Sequence, residues 1–214
     1  MGREFLDIFT GWAKEYDQTV TGHDPEYEAV FHGYDELLTK MVALSGNSIL
    51  EFGSGTGNLT IKFLNEGKVV FPVEPSQEMI NIAKEKKELK HQFFIEGDLE
   101  DFPLPPSAID TIAASFVFHH LTESEKQKVI RRYYELLPPK GKIIIGDTMF
   151  LSDKSYQAIL NDAYETGKLT LVEDLEREYY PYIFDLETYF RETGFTTRFT
   201  QMNNFAWIVE ATKN

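Results

Sequence analysis

The stretch SILEFGSGTGN, residues 48–58, constrains the fold of this 214-residue chain more than any other segment. A short apolar run is followed there by glycines at positions 53, 55 and 57. Glycine adopts positive φ and lets the backbone approach a ligand without an intervening Cβ. Taken alone, the pattern fits an ordinary strand-to-helix turn, a nicotinamide-dinucleotide loop, or a loop for another nucleotide-like cofactor.

Short apolar runs alternate with helical patterns on both sides of this loop. The patterns predict strands at 48–52, 68–73, 92–96, 108–115 and 142–146, with helices at 59–65, 76–86 and 123–137. A C-terminal helix at 185–193 precedes two further strands, 196–201 and 205–211, joined by a hairpin turn at Asn203 and Asn204. We therefore expect a Rossmann-like, doubly wound α/β sheet of seven strands, mostly parallel with an antiparallel C-terminal hairpin.

Two helices carry start signals in the sequence. Ser76 is an N-cap candidate, and Thr122 with Glu125 forms the capping-box pattern. The length suits a single domain. We divide it into an N-terminal helical cover (1–45), a core (46–150), an insertion or lid (151–184) and a C-terminal helix and hairpin (185–214).

The cover and the lid are rich in aromatic residues, which favours a small, partly apolar ligand enclosed beneath them. Packing of the helices against one another is the alternative explanation. The residues concerned are Trp12, Tyr16, Tyr27, Tyr156, Tyr164, Tyr179, Tyr180 and Tyr182.

Charge and composition disfavour several classes of partner. The formal net charge is −14 at pH 7, so nucleic acid and anionic membrane surfaces would repel the chain as a whole. There are no cysteines, and the N-terminus lacks a signal-peptide pattern, so we expect a cytoplasmic protein. His23 and His32 lack metal-ligand spacing, and no metal site is predicted.

Residues around the glycine loop distinguish among the possible ligands. The dinucleotide fingerprint requires a glycine where this chain has Asn58. Glu51, two residues before the first glycine, suits a ligand with an amino group rather than a pyrophosphate. Glu74 closes the second strand, where a carboxylate can accept hydrogen bonds from both ribose hydroxyls. A charge at the helix entry before Pro75 is the alternative role for Glu74.

The motif ILEFGSGTGNLT resembles the first motif of class I S-adenosylmethionine-dependent methyltransferases. VVFPVEPSQEMINIAKEK resembles the second strand and helix of that family, FIEGDLEDFPLP its third-strand segment, and the stretch from AIDTIAAS to KIIIGD its fourth and fifth strands. The likeness covers about residues 47–150. The N-terminal AKEYDQTVTGHDPEYEAVF is similar to uncharacterised bacterial methyltransferases termed YrrT-like.

The resemblance implies that S-adenosylmethionine is the cofactor and that 46–150 is the cofactor-binding core. Its methionine part would lie against the backbone of Gly53, Gly55 and Ser115, with Glu51 near the amino group. The full set of implied cofactor-binding residues is Tyr16, Glu51, Gly53, Gly55, Glu74, Asp98, Leu99 and Ser115.

The adenosine end of the cofactor is assigned by the same resemblance. Asp98 would meet the adenine amine and Leu99 would lie beside the ring, while Glu74 holds the ribose. Tyr16 would close over the cofactor from the N-terminal cover. A purely structural aromatic is the alternative for Tyr16.

His119 and His120 follow the fourth strand and are candidate general bases for a hydroxyl or amine acceptor. Packing before the Thr122 cap is their alternative role. The leading hypothesis is a methyltransferase acting on a small molecule. An NAD(P)-dependent oxidoreductase and a non-catalytic protein that binds S-adenosylmethionine or S-adenosylhomocysteine are the alternatives.

Overall fold

The computed structural model describes residues 15–214, so Trp12 and the start of the predicted cover lie outside the described residues. A seven-stranded sheet with the order β3-β2-β1-β4-β5-β7-β6 forms its centre. The strands are β1 Ser48–Phe52, β2 Val69–Glu74, β3 Ile95–Glu96, β4 Thr111–Ser115, β5 Lys142–Thr148, β6 Phe195–Gln201 and β7 Ala206–Lys213. Strands β1 to β5 pair in parallel, whereas β7 is antiparallel to both β5 and β6. The predicted fold class is confirmed.

Helices cover both faces of this sheet. They are α1 Tyr34–Leu44, α2 Asn58–Asn65, α3 Gln77–Glu85, α4 Glu123–Leu136, α5 Asp153–Glu165, α6 Leu169–Arg177 and α7 Ile183–Thr193. Shorter helical turns occupy Tyr16–Gln18, Thr19–His23, Lys87–Leu89 and Phe118–His120. No helix in the described part of the chain is long and apolar enough to cross a membrane.

Alternation along the central strands explains the two layers of helices. Ile49 belongs to a buried cluster with Leu37 of α1 and Phe63 of α2, whereas its neighbour Leu50 packs in a second cluster with Ile130 of α4. Successive side chains of a strand point to opposite faces, so a strand buried on both sides is apolar at most positions. The continuous apolar runs in the sequence are therefore those of a sheet covered on both faces.

The predicted helix caps are confirmed. The Ser76 hydroxyl accepts a hydrogen bond from the Met79 amide at 3.3 Å. Thr122 and Glu125 form the reciprocal capping box at the start of α4. The predicted hairpin turn is also present, because the Asn203 side-chain oxygen accepts from the amides of Phe205 and Ala206.

Strand β3 is much shorter than predicted. Only Ile95 and Glu96 pair with β2, because the chain is still turning at Gln92, whose amide donates to the Leu89 carbonyl. The apolar residues within 92–96 predict a full strand. Phe94 instead packs in a small cluster with Leu89.

The segment predicted as a lid contains α5 and α6, which pack against the predicted N-terminal cover. Tyr27 and Phe31 of the cover share a buried cluster with Leu160 of α5 and Leu171 of α6. The Glu26 carboxylate accepts from the Leu171 amide and from the neighbouring amide at the start of α6. Carboxylates stabilise helix N-termini in this way, so the cover and the lid are joined above the sheet.

Candidate functional site

The glycine loop follows the carboxyl end of β1, in the middle of the parallel part of the sheet. Gly53 and Gly55 have φ values of +61° and +53°, which disfavour any residue with a Cβ. A Cβ on Gly55 would meet no side chain within 4 Å, so it would extend into open space. The Gly55 amide donates to Glu74 Oε2 at 2.8 Å, which fixes the loop to the end of β2.

A cavity opens beside this loop. Seven of the eight predicted cofactor-binding residues line it, and Glu51 does not. Pro75, Met79, Phe116, Val117 and His120 contribute to the lining as well. The seven predicted residues are Tyr16, Gly53, Gly55, Glu74, Asp98, Leu99 and Ser115.

Glu74 is buried at the end of β2, with only 5% of its surface exposed. Its carboxylate accepts from the backbone amides of Gly55 and Ser76 at 2.8 and 2.9 Å. Burial raises its pKa to about 7, and these two amide donors oppose the shift. Each carboxylate oxygen has a second lone pair, so the group keeps acceptor capacity toward the cavity.

Asp98 lies in the loop after β3. Its Oδ1 accepts from the amides of Glu100 and Asp101, both at 2.8 Å, which closes a tight turn. The next residue, Leu99, is buried, and its carbonyl accepts from the Tyr133 hydroxyl at 2.7 Å. These contacts hold both residues against the cavity.

Glu51 is directed elsewhere. Its side chain is buried in the sheet, and Oε2 accepts from the Thr60 hydroxyl of α2 at 2.6 Å. Burial raises the pKa of Glu51 to about 8, with the Thr60 hydrogen bond opposing and the charge of Glu74 adding to the shift. The predicted contact of Glu51 with an amino group remains a prediction.

Asn58, which departs from the dinucleotide fingerprint, has a structural partner of its own. Asp17 Oδ1 accepts from the Asn58 amide at 3.0 Å and from the Thr56 hydroxyl at 2.6 Å. Lys86 donates to Asn58 Oδ1 at 2.8 Å and pairs with Asp17 Oδ2 at 2.8 Å. This network ties the helical turn that carries Tyr16 to the glycine loop.

A second cavity adjoins the first beneath the cover and lid. Tyr16, Phe116 and His120 line both cavities. Phe116 directly follows β4 and has φ = 50°, a conformation that is rare for an aromatic residue. The lining of the second cavity consists of Tyr16, Tyr27, Val30, Phe31, Phe116, His119, His120, Thr148, Leu171, Asp174, Leu175, Glu178, Tyr180 and Phe205.

The two candidate general bases converge on carboxylates. His119 Nδ1 lies 2.5 Å from Asp147 Oδ1, and its Nε2 lies 3.2 Å from Glu178 Oε2. His120 Nε2 is 3.8 Å from Glu178 Oε1. The Tyr180 ring stacks on His119, and its hydroxyl donates to Glu178 at 2.6 Å.

These contacts separate the pKa values of the two histidines. Burial opposes protonation of His119, but the charges of Asp147 and Glu178 raise its pKa to about 10. Burial and the charge of His119 lower the pKa of His120 well below its ordinary value. Burial also opposes ionisation of Glu178, yet the charge of His119 holds its pKa at about 2. A protonated His119 cannot accept a proton, and the low pKa of His120 makes it a weak base.

The sequence pattern does not single out Asp147 or Glu178 as site residues. Asp147 ends the KIIIGD run, and β5 lies beside β4, so strand order alone could have placed it near His119. Glu178 follows α6 in the lid, and nothing in the sequence pattern indicates that it faces the histidines.

Comparison with known proteins defines the class. Residues 49–141 match the family model described as "Methyltransferase domain". The chain is 49% identical over 213 residues to an uncharacterized methyltransferase of Anoxybacillus flavithermus, covering all of both proteins. It is 46% identical over 213 residues to one of Bacillus velezensis, again with full coverage of both. The chain is thus a class I S-adenosylmethionine-dependent methyltransferase, and it belongs to the family of these bacterial proteins.

Solved structures agree with this fold. Magnesium protoporphyrin IX methyltransferase from Synechocystis PCC 6803 with bound S-adenosylhomocysteine has a TM-score of 0.74, with 18% identity and full coverage of both chains. A possible histamine N-methyltransferase from Thermotoga maritima has a TM-score of 0.66, with 20% identity, and covers 98% of this chain and 100% of its own. The family membership decides between the methyltransferase and oxidoreductase interpretations of the glycine loop.

Proposed function

We propose that this enzyme transfers the methyl group of S-adenosylmethionine to a small-molecule acceptor bound in the second cavity. The observation that carries the proposal is the pair of adjoining cavities that share Tyr16, Phe116 and His120. A methyl donor in one and an acceptor in the other would meet at these residues. Bringing two reactants together in a favourable geometry accounts for much of the catalysis in such reactions.

The residues of the first cavity fit the cofactor. The open space beside Gly55 admits a ligand against the backbone, and the buried Glu74 is suited to accept from ribose hydroxyls. We assign Asp98 to the adenine amine, Leu99 to the ring face, and Ser115 with Gly53 to the methionine part. The bound cofactor supplies an activated methyl group, and the protein binds, aligns and excludes water.

Lining and charge favour a small acceptor. Six of the fourteen residues that line the second cavity are phenylalanine or tyrosine, which suits a small, partly apolar molecule. The net charge of −14 disfavours a nucleic-acid acceptor. We retain the prediction of a cytoplasmic location, which cell fractionation with a specific antibody would test.

Calorimetric titration with S-adenosylmethionine tests the cofactor assignment. A Glu74→Ala variant should bind the cofactor at least about tenfold more weakly, because hydrogen bonds to a charged group contribute about 1.5–3 kcal/mol. Glu85, exposed on α3, provides the matched control, and Glu85→Ala should leave the affinity unchanged. Equal affinities for wild type and Glu74→Ala would refute the assignment.

Incubation of the enzyme with methyl-labelled S-adenosylmethionine and a panel of small metabolites tests the acceptor class. We expect label to appear in a small organic product. Tight cofactor binding without transfer to any member of a broad panel would instead favour a binding protein. Labelling of protein or nucleic acid only would refute the small-molecule proposal.

A further inference from the structure

Three potential ligand groups meet in the second cavity. His119, His120 and Glu178 each offer one ligand atom, and these atoms all lie within 4.8 Å of one another. The two histidines come from the turn after β4, whereas Glu178 follows α6 in the lid. All three side chains line the cavity, and His120 borders the cofactor cavity as well.

The separation between His119 and Glu178 matches an edge of a coordination polyhedron. Ligand nitrogens and oxygens lie about 2.1 Å from a bound Zn²⁺, so two ligands at roughly 90–110° are about 3.0–3.4 Å apart. The 3.2 Å between His119 Nε2 and Glu178 Oε2 falls in this range. The 3.8 Å between His120 Nε2 and Glu178 Oε1, the other oxygen of the same carboxylate, is longer, so we expect His120 to move toward a bound cation.

Asp147 holds the His119 ring in the orientation that a metal ligand needs. Its Oδ1 contacts Nδ1, which leaves Nε2 directed toward Glu178. Asp147 is itself fully buried, and its Oδ2 accepts from the amides of Phe118 and His119 at 2.7 and 3.2 Å. Metal-binding histidines commonly contact a carboxylate through their other nitrogen in this way.

We propose that His119, His120 and Glu178 bind a divalent transition-metal cation in the second cavity. Two imidazoles and one carboxylate suit Zn²⁺, Fe²⁺ or Co²⁺ and leave further coordination positions open. Binding releases to solvent any proton carried on His119 Nε2. The sequence pattern does not indicate a metal site here, because Glu178 lies on a segment remote from the histidines in the chain.

A role for the cation rests on the proposed function. An acceptor hydroxyl coordinated at an open position loses its proton to water more readily, because the cation stabilises the resulting oxyanion. The oxygen lone pair then forms the new bond to the methyl carbon, and the carbon–sulfur bond breaks with its electron pair remaining on sulfur. The products are the methyl ether and the neutral thioether.

Titration of the tag-free, chelator-treated enzyme with Co²⁺, followed by its visible absorption, tests the site. We expect one Co²⁺ per chain, displaced by Zn²⁺. Glu178→Gln and His120→Gln should each weaken binding by at least about tenfold, since even residues that only orient a ligand change metal affinity by 10–100-fold. The exposed His91 serves as control, and His91→Gln should bind Co²⁺ normally.

Absence of stoichiometric Co²⁺ binding, or binding that both site variants retain, would overturn the proposal. If the variants fold poorly, X-ray absorption of the wild-type Co²⁺ complex decides: two coordinated imidazoles support the site, and none refutes it. Calorimetry with S-adenosylmethionine on the same metal-free protein separates the two proposals. Cofactor binding without Co²⁺ binding would refute only the metal site. Co²⁺ binding without cofactor binding would refute only the proposed function.

Discussion

A Glu51→Gln substitution should change how the stability of the enzyme depends on pH. Glu51 is 1% exposed, and its hydrogen bond from Thr60 does not offset the cost of burying a charge. The pKa rises from 4.5 to about 8 on folding. Glutamine has nearly the same shape, and its side-chain oxygen still accepts from the Thr60 hydroxyl, but it does not titrate.

The sign follows from proton linkage. Between pH 4.5 and about 8 the folded protein retains a proton on Glu51 that the unfolded chain has lost, so wild-type stability falls as pH rises through this window. Below pH 4.5 Glu51 carries its proton in both the folded and the unfolded state, so it contributes no pH dependence to stability. At about 1.36 kcal/mol per pH unit, the free energy of unfolding changes by on the order of 3 kcal/mol between pH 5 and 8.

Urea denaturation of cofactor-free wild type and variant at pH 5, 6, 7 and 8 measures this difference. From pH 5 to pH 8, the free energy of unfolding of the variant should rise relative to that of the wild type by on the order of 3 kcal/mol. Any pH-independent offset from the new amide group adds a constant to this difference. Glu85→Gln is the control at an exposed position and should show no such trend. A stability difference between Glu51→Gln and wild type that is constant with pH would refute the reasoning.

Two further predictions concern the cover and the helix caps. Asp17→Ala removes the acceptor for Thr56, Asn58 and Lys86 and should weaken S-adenosylmethionine binding several-fold. The free energy of unfolding should fall by at most about 1 kcal/mol, since the pair with Lys86 is partly exposed. Unchanged affinity by calorimetry would show that the cover does not contribute to binding. Thr122→Ala removes the capping box of α4 and should lower the free energy of unfolding by about 1 kcal/mol, measured by urea denaturation, with no loss of cofactor affinity.

The parts of the site that follow strand ends were predictable from the sequence. Apolar runs fix the strands, and the carboxyl ends of parallel strands meet at one edge of the sheet. Gly53, Gly55, Glu74 and Ser115 each lie at or just after a strand end, and all line the first cavity. Asp98 lines it as well, although β3 is shorter than predicted, because the following turn holds it there.

Tertiary structure decided what depends on contacts between distant segments. The sequence placed Glu51 beside the glycine loop, but the partner that its buried side chain meets, Thr60, follows from how α2 packs on β1. Asp147 and Glu178 reach His119 only because β5 lies beside β4 and the lid folds back over the strand ends. Sequence periodicity reports which face of an element is buried, but it carries no information on which distant polar group a buried side chain meets. The chain by itself therefore determined the class of enzyme and its cofactor loop, while the folded structure determined the charges around the second cavity.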